Sequence, residues 1–249
     1  CTDIGYNEYS SAVTIGGRTG PIDFTNPCKT CADHTVTIWG NNKEKTIDNV
    51  GNLKSITPVV GALSNGDFVL SYRLEYDKIY IQFYDSSGTE KGALIEVYDN
   101  SVANTMNNNV AGVALTYDQT PTMAVLKNDD IIVVWDFAPS THSYIYGQRL
   151  NSVGVKQGDP FLIVDSTTYN KFPDIAPLEN GGFIVVFYDE STDDVKAQRY
   201  DASAAKVGSV IDVGTSNGQH VIQGTSTIAT FSDNSFVVTW FSKSAPAVT

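Results

Sequence analysis

PDIAPLENGGFIVVF, residues Pro173–Phe187, is a short strand, a turn and a second strand. The chain repeats it without gaps as PVVGALSNGDFVLSY (Pro58–Tyr72), PTMAVLKNDDIIVVW (Pro121–Trp135) and STIATFSDNSFVVTW (Ser226–Trp240). Five residues after each start comes an apolar anchor, Leu63, Leu126, Leu178 or Phe231. Five further on stand Phe68, Ile131, Phe183 and Phe236, and four beyond those an aromatic, Tyr72, Trp135, Phe187 or Trp240. Asn65-Gly66, Asn128-Asp129, Asn180-Gly181 and Asp233-Asn234 lie between the strands and suit the positive φ of tight hairpin turns. Self-similarity at this spacing marks a propeller, solenoid or array.

Each of the first three copies runs on into a second hairpin. Gln82, Gln148 and Gln198 align there, followed three residues later by Asp85, Asn151 and Asp201 and ten residues later by Gly92, Gly158 and Gly208. One unit is therefore four antiparallel strands, the content of a propeller blade. Four opening hairpins with three closing ones imply a four-bladed, all-β propeller. Its last blade is expected to be shared between the chain ends and completed by residues 36–50, with HTVTIW (His34–Trp39) and TIDNV (Thr46–Val50) as the outer strands. The division is then an N-terminal arm, residues 1–35, and a propeller, residues 36–249, with repeats starting near 57, 120, 172 and 225. Small Gly61, Ala124, Ala176 and Ala229 are expected on the crowded face near the axis, and large Val60, Met123, Ile175 and Ile228 between blades.

These motifs resemble the extracellular propeller-like repeats of large bacterial surface and secreted proteins. FIVVF, IIVVW and FVVTW match the first part of that pattern, and GQRLNSVGVKQG and AQRYDASAAKVG the second. The resemblance covers about residues 57–241 and departs from the pattern at Ser226, at Ala204 and through residues 1–35. It implies a location outside the cell, in adhesins or calcium-rich secreted proteins, and carries no catalytic site.

The 249 residues, 41% hydrophobic with a formal net charge of −12, suffice for one domain with a full core and make nucleic acid a poor partner. No apolar run is long enough for a membrane helix. A start at Cys1 in place of Met reads as processing, and the composition, rich in Tyr and Asn and poor in Lys and Arg, suits an extracellular or cell-surface protein. Cys1, Cys28 and Cys31 are all the cysteines. One pair is expected to form a disulfide, Cys1 with Cys28 or Cys31, with Cys28–Cys31 as the alternative.

Candidate chemistry is sparse. His34, His142 and His220 are scattered, with no zinc or hydrolase motif. Asp129-Asp130 and Asp193-Asp194, with Asp189 and Glu190, read as solvated acidic turns. Calcium is left open without a motif to hold it, and no other cofactor is implied. Asp174 lies beside the proposed axis, but its aligned residues are Val59, Thr122 and Thr227, so no second carboxylate faces it. The chain is accordingly expected to be no enzyme. It reads instead as a subunit of a surface layer or filament, with itself as partner, joined through an N-terminal arm bearing Tyr6, Tyr9, Val13 and Ile15, with Glu8–Ile15 as the donated strand. The alternative is a lectin-like adhesion module contacting surface glycans through Tyr76, Tyr144, Tyr146 and Tyr169.

Overall fold

A computed structural model of the chain describes residues 36–40, 43–47, 56–74, 78–99, 121–137, 143–164, 170–214 and 220–244. Strands and turns account for them. The strands are β1 (Val36–Gly40), β2 (Lys43–Ile47), β3 (Ile56–Ala62), β4 (Phe68–Leu74), β5 (Lys78–Tyr84), β6 (Glu90–Asp99), β7 (Thr122–Val125) and β8 (Ile131–Phe137). They continue as β9 (Tyr144–Leu150), β10 (Phe161–Val164), β11 (Asn170–Pro177), β12 (Phe183–Asp189), β13 (Asp194–Tyr200), β14 (Lys206–Gly214), β15 (His220–Thr230) and β16 (Phe236–Ser244).

The repeats fold as the pattern predicts. β3–β6, β7–β10 and β11–β14 are three antiparallel four-stranded meanders. The first strands of successive units pack side by side in the order β3, β7, β11, β15, which is the arrangement of propeller blades. The fourth unit is present among the described residues as its inner hairpin, β15–β16. β1 and β2 pair with each other, and no ladder among the described residues joins them to β16, so the blade shared between chain ends is not seen there. Lys43, Glu44 and Lys45 extend β2 beyond the TIDNV stretch toward the turn.

The same turn opens every unit. Leu63 N donates to Asp67 O at 2.9 Å and Gly66 N to Leu63 O at 3.0 Å, and the pattern recurs after Leu126, Leu178 and Phe231. The third turn residue takes positive φ in all four: Gly66 (87°), Asp129 (62°), Gly181 (88°) and Asn234 (64°). Glycine, Asp and Asn tolerate that conformation best, which explains the composition of the column.

Alternation then sorts the faces. Val69 of β4 shares a core cluster with Met123, Ile131, Val133 and Trp135 of the next blade. Ile132 and Val134 pack in turn with Ile175, Phe183, Val185 and Phe187, and Ile184 with Ile228 and Phe236. Large Met123, Ile175 and Ile228 thus fill the space between blades, as expected. The small column also faces a neighbouring blade: a Cβ on Gly61 would come within 2.5 Å of Val125 Cγ2 and 3.2 Å of Met123 Cε.

The aligned Gln and Gly are a cross-link within each blade. Gln148 Nε2 donates to the carbonyls of Arg149 (2.9 Å) and Gly158 (3.1 Å). Gln82 and Gln198 make the same bridges to residues one and about ten further on. The third and fourth strands bulge at this point, and the amide satisfies carbonyls that the irregular ladder leaves over.

Candidate functional site at the strand-end rim

The two ends of the blades treat polar groups differently. At the turn end, polar side chains are spent on the fold. Asp129 accepts from Ser64 N (2.8 Å) and Ser64 Oγ (2.5 Å), tying the first blade to the second. Lys127 pairs with Glu179 across the next junction, and Asn180 N donates to Asn234 Oδ1 at 2.9 Å across the last. Asp130 is buried against Arg149, at 2.9 and 2.5 Å. In the second hairpins, Asp85, Asn151 and Asp201 each accept backbone N–H bonds from two and four residues on. The Ser87 hydroxyl at Asp85 and the Ser203 hydroxyl at Asp201 hold those two carboxyls below the usual range. A shallow pocket between Leu178, Asn180, Arg199 and Val207 lies at this end.

Near the axis, Asp174 of β11 joins three inner strands. Its Oδ1 accepts from Thr122 Oγ1 of β7 (3.0 Å) and Ile175 N (2.9 Å). Its Oδ2 accepts from Thr227 Oγ1 (2.8 Å) and Ile228 N (3.0 Å) of β15. With four donors on two oxygens, this carboxylate acts as a clasp and has no lone pair pointed at a substrate.

The opposite rim, where second strands end and inner strands begin, collects buried polar residues: Ser71, Arg73, Asp136, Ser143, Asn170, Asp189 and Ser226. Several are held in place by neighbours. Phe172, at φ 54° just before Pro173, donates its N–H to Asp136 Oδ2 at 3.4 Å. Asp189 accepts from Lys196 Nζ (2.8 Å) and Ser191 Oγ (2.5 Å). Burial pushes the Asp189 carboxyl up, but the Lys196 ammonium and Ser191 hydroxyl outweigh it and hold the group below its ordinary value. Tyr188 donates to Asp193 Oδ1 at 2.7 Å, and burial together with that carboxylate pushes its phenol up. Lys171 and Glu190 pair at 2.7 Å beside it. Other polar atoms here are sealed from solvent without a hydrogen-bond partner: Ser71 Oγ, Arg73 Nε, Trp135 Nε1, Ser143 Oγ and Ser226 Oγ. Sequence reasoning missed this rim because its residues differ from blade to blade. Arg73, Asp136, Tyr188 and Phe241 occupy one repeat position, so the column shows no pattern.

The residues singled out from sequence are distributed otherwise. Tyr146 is buried, with its ring 6.3 Å from that of Trp135, and belongs to the core. Tyr144 is half-buried and packs at 6.3 Å on Tyr146, at the rim. Tyr76, Tyr169, the arm residues Tyr6, Tyr9, Val13 and Ile15, and Cys1, Cys28 and Cys31 lie outside the described residues. Among the described residues no three His, Cys, Asp or Glu side chains gather as for a metal ion.

No protein-family model matches the sequence, and no curated protein does. Solved structures do. An endo-arabinase from Bacteroides thetaiotaomicron matches over 79% of this chain and 75% of its own, at 14% identity and a TM-score of 0.44. An ulvan lyase, described as a new family of polysaccharide lyase, matches over 83% of this chain and 56% of its own, at 12% identity and a TM-score of 0.47. A glycosyl hydrolase from Bacteroides ovatus matches over 71% and 58%, at 10% identity and a TM-score of 0.42. The chain thus spans little more than half of the last two. At such identities the likeness is one of architecture, and no residue of those enzymes passes to this chain. The matches do correct the expectation of a non-enzymatic filament subunit. The structures named are carbohydrate-active enzymes, and none is described as a filament or surface-layer protein.

Proposed function

We propose that the protein is a carbohydrate-binding propeller whose ligand lies on the strand-end rim. The observation that carries this reading is the asymmetry between the two ends. At the turn end Gln148 Oε1 is the one sealed atom without a partner among the described residues, whereas the rim keeps hydrogen-bonding capacity in reserve at Ser71, Arg73, Trp135 and Ser143. Sugars are recognised by a few placed polar groups among aromatic surfaces. The rim offers both, with the half-buried ring of Tyr144 beside the polar set. The repeat pattern of bacterial surface and secreted proteins and the extracellular composition support an encounter with glycans outside the cell.

The test is a glycan panel read by calorimetry, with product analysis by chromatography on the same samples. Wild-type protein binds at least one class of oligosaccharide saturably. Tyr144→Ala, on the rim, weakens that binding about tenfold with little change in melting temperature. Wild-type protein that binds no oligosaccharide at millimolar concentration defeats the reading.

A further inference from the structure

The blade 1–blade 2 seam holds a cation with no counter-charge among the described residues. Arg73 is 6% exposed and stands next to last in β4. It makes no hydrogen bond or ion pair among the described residues, and its Nε is sealed from solvent without a partner. Taking a guanidinium out of water unpaired is one of the costliest arrangements a fold can hold. Other cations of the blades have a partner: Arg149 has Asp130, Lys196 has Asp189, Lys171 has Glu190 and Arg199 has Asn234 O.

Two further unused donors share the seam. Ser71, fully buried, leaves β4 on the same face as Arg73 and Val69, two residues apart. That face meets blade 2 in the cluster containing Val69, Val133 and Trp135. Arg73 pairs across the ladder with Ile79, and Ile79 with Tyr98, so the three form one row of the sheet. The Trp135 ring lies 5.1 Å from that of Tyr98, which puts the indole over the same row. Arg73 and Ser71 on β4 and the indole over β6 thus face the same junction with blade 2, two strands apart along one row. Arg73 Nε–H, Ser71 Oγ–H and Trp135 Nε1–H all donate, and no carboxylate of the described residues answers them.

We propose that this seam is an oxyanion site, and that the ligand of the rim is an acidic saccharide whose carboxylate or sulfate ester is held by Arg73, Ser71 and Trp135. The saccharide half of the proposal rests on the carbohydrate reading above. The oxyanion half rests on the seam alone. Arg suits the task because its planar fork matches a carboxylate or sulfate edge.

Four probes separate the parts: sodium sulfate, glucuronate, an oligouronide and a neutral oligosaccharide of equal length, each with the wild type and Arg73→Met. Melting temperature and calorimetry are read at low salt. The expected result is oligouronide binding at least tenfold tighter than neutral binding, with that preference lost in R73M. Ligand-free R73M melts no lower than wild type, since a buried charge without a partner among the described residues is gone. If R73M folds poorly, Ser71→Ala removes one donor at nearly constant volume and weakens oligouronide binding about fivefold, neutral binding not at all. Equal binding of neutral and acidic chains, unchanged in the variants, overturns the oxyanion site and leaves the carbohydrate reading standing. Stabilisation by sulfate and glucuronate that needs Arg73, with no oligosaccharide bound, upholds the site and overturns the carbohydrate reading. No response to any probe overturns both.

Discussion

Thr227 Oγ1 donates to Asp174 Oδ2 at 2.8 Å, joining the inner strand of the fourth unit to that of the third. Thr122, the same repeat position one blade earlier, donates to the other carboxylate oxygen at 3.0 Å. The acid thus sits between two threonines of its own alignment column. Asp174→Ala strips four donors of their acceptor, and hydrogen bonds to a charged group contribute about 1.5–3 kcal/mol each. Some of these donors are half-exposed and recover water, so the expected loss is about 2–3 kcal/mol, a fall of about 4–10 °C in melting temperature. Calorimetry of Asp174→Ala, Thr227→Val and the double variant checks it. Additive losses in the cycle would show that the two side chains are not coupled.

Gln148 ties the third strand of its blade to the Gly158 carbonyl on the way to the fourth. Gln148→Leu keeps the volume and removes the donor, leaving buried carbonyls unsatisfied at a cost of about 1–3 kcal/mol. The same change at Gln82 and Gln198 has a similar effect, because the bonds repeat. Urea unfolding of the three variants measures this. A loss confined to one blade would mean that the bridge matters through its surroundings alone.

Features that repeat were legible and features that differ were not. The turn residues, the Gln–Gly offset and the inter-blade Met123, Ile175 and Ile228 each recur at a fixed spacing, and each spacing has one geometric cause. Asp174 was legible as an axial acid flanked in its column by Thr122 and Thr227 with no second carboxylate, but its role as their clasp needed the structure. Arg73 was invisible because its repeat partners are Asp136, Tyr188 and Phe241, and only the structure shows it buried with its Nε unpartnered among the described residues. Tyr146 looked like a contact residue because a strand of alternating type does not say which face meets a neighbour. The face became clear with Trp135 packed on it.

Asp189 gives the rim an acid sensitivity. Its folded-state value lies below that of the free side chain, near 3.8. Its contribution to stability is therefore present in full above about pH 4 and is lost as the pH falls through the lower folded value. In Asp189→Asn the fall in melting temperature between pH 5 and pH 3 becomes shallower than in wild type. Equal slopes in the two proteins would remove Asp189 from the acid response.

Tyr200 sets the corresponding limit at high pH. Its ring stacks on Phe183 at 4.8 Å and its hydroxyl donates to Ile163 O at 2.9 Å. Burial raises its pKa above the ordinary 10.0. A raised folded value favours the neutral phenol, so the stability it contributes holds below pH 10 and declines as the pH rises beyond it. Ultraviolet titration finds this tyrosine, with Tyr188, silent until the protein unfolds. Tyr200→Phe lessens the alkaline decline while costing about 1 kcal/mol at neutral pH for the lost hydrogen bond.

The fourth unit carries the same apolar pattern as the others but buries it less. Trp240 is 40% exposed and Val237 45%, where the aligned Trp135 and Ile132 are fully buried. A side chain that is half in water gains correspondingly less from burial. Val237→Thr is therefore expected to cost under about 1 kcal/mol, whereas Ile132→Thr, which places a hydroxyl in a closed cluster, costs about 2–4 kcal/mol. Amide exchange follows the same gradient, with β15 and β16 opening at lower free energy than β8 and β12. Protection of β16 equal to that of β12, together with a large loss in Val237→Thr, would show that this face is covered in solution by a part of the chain outside the described residues or by another molecule.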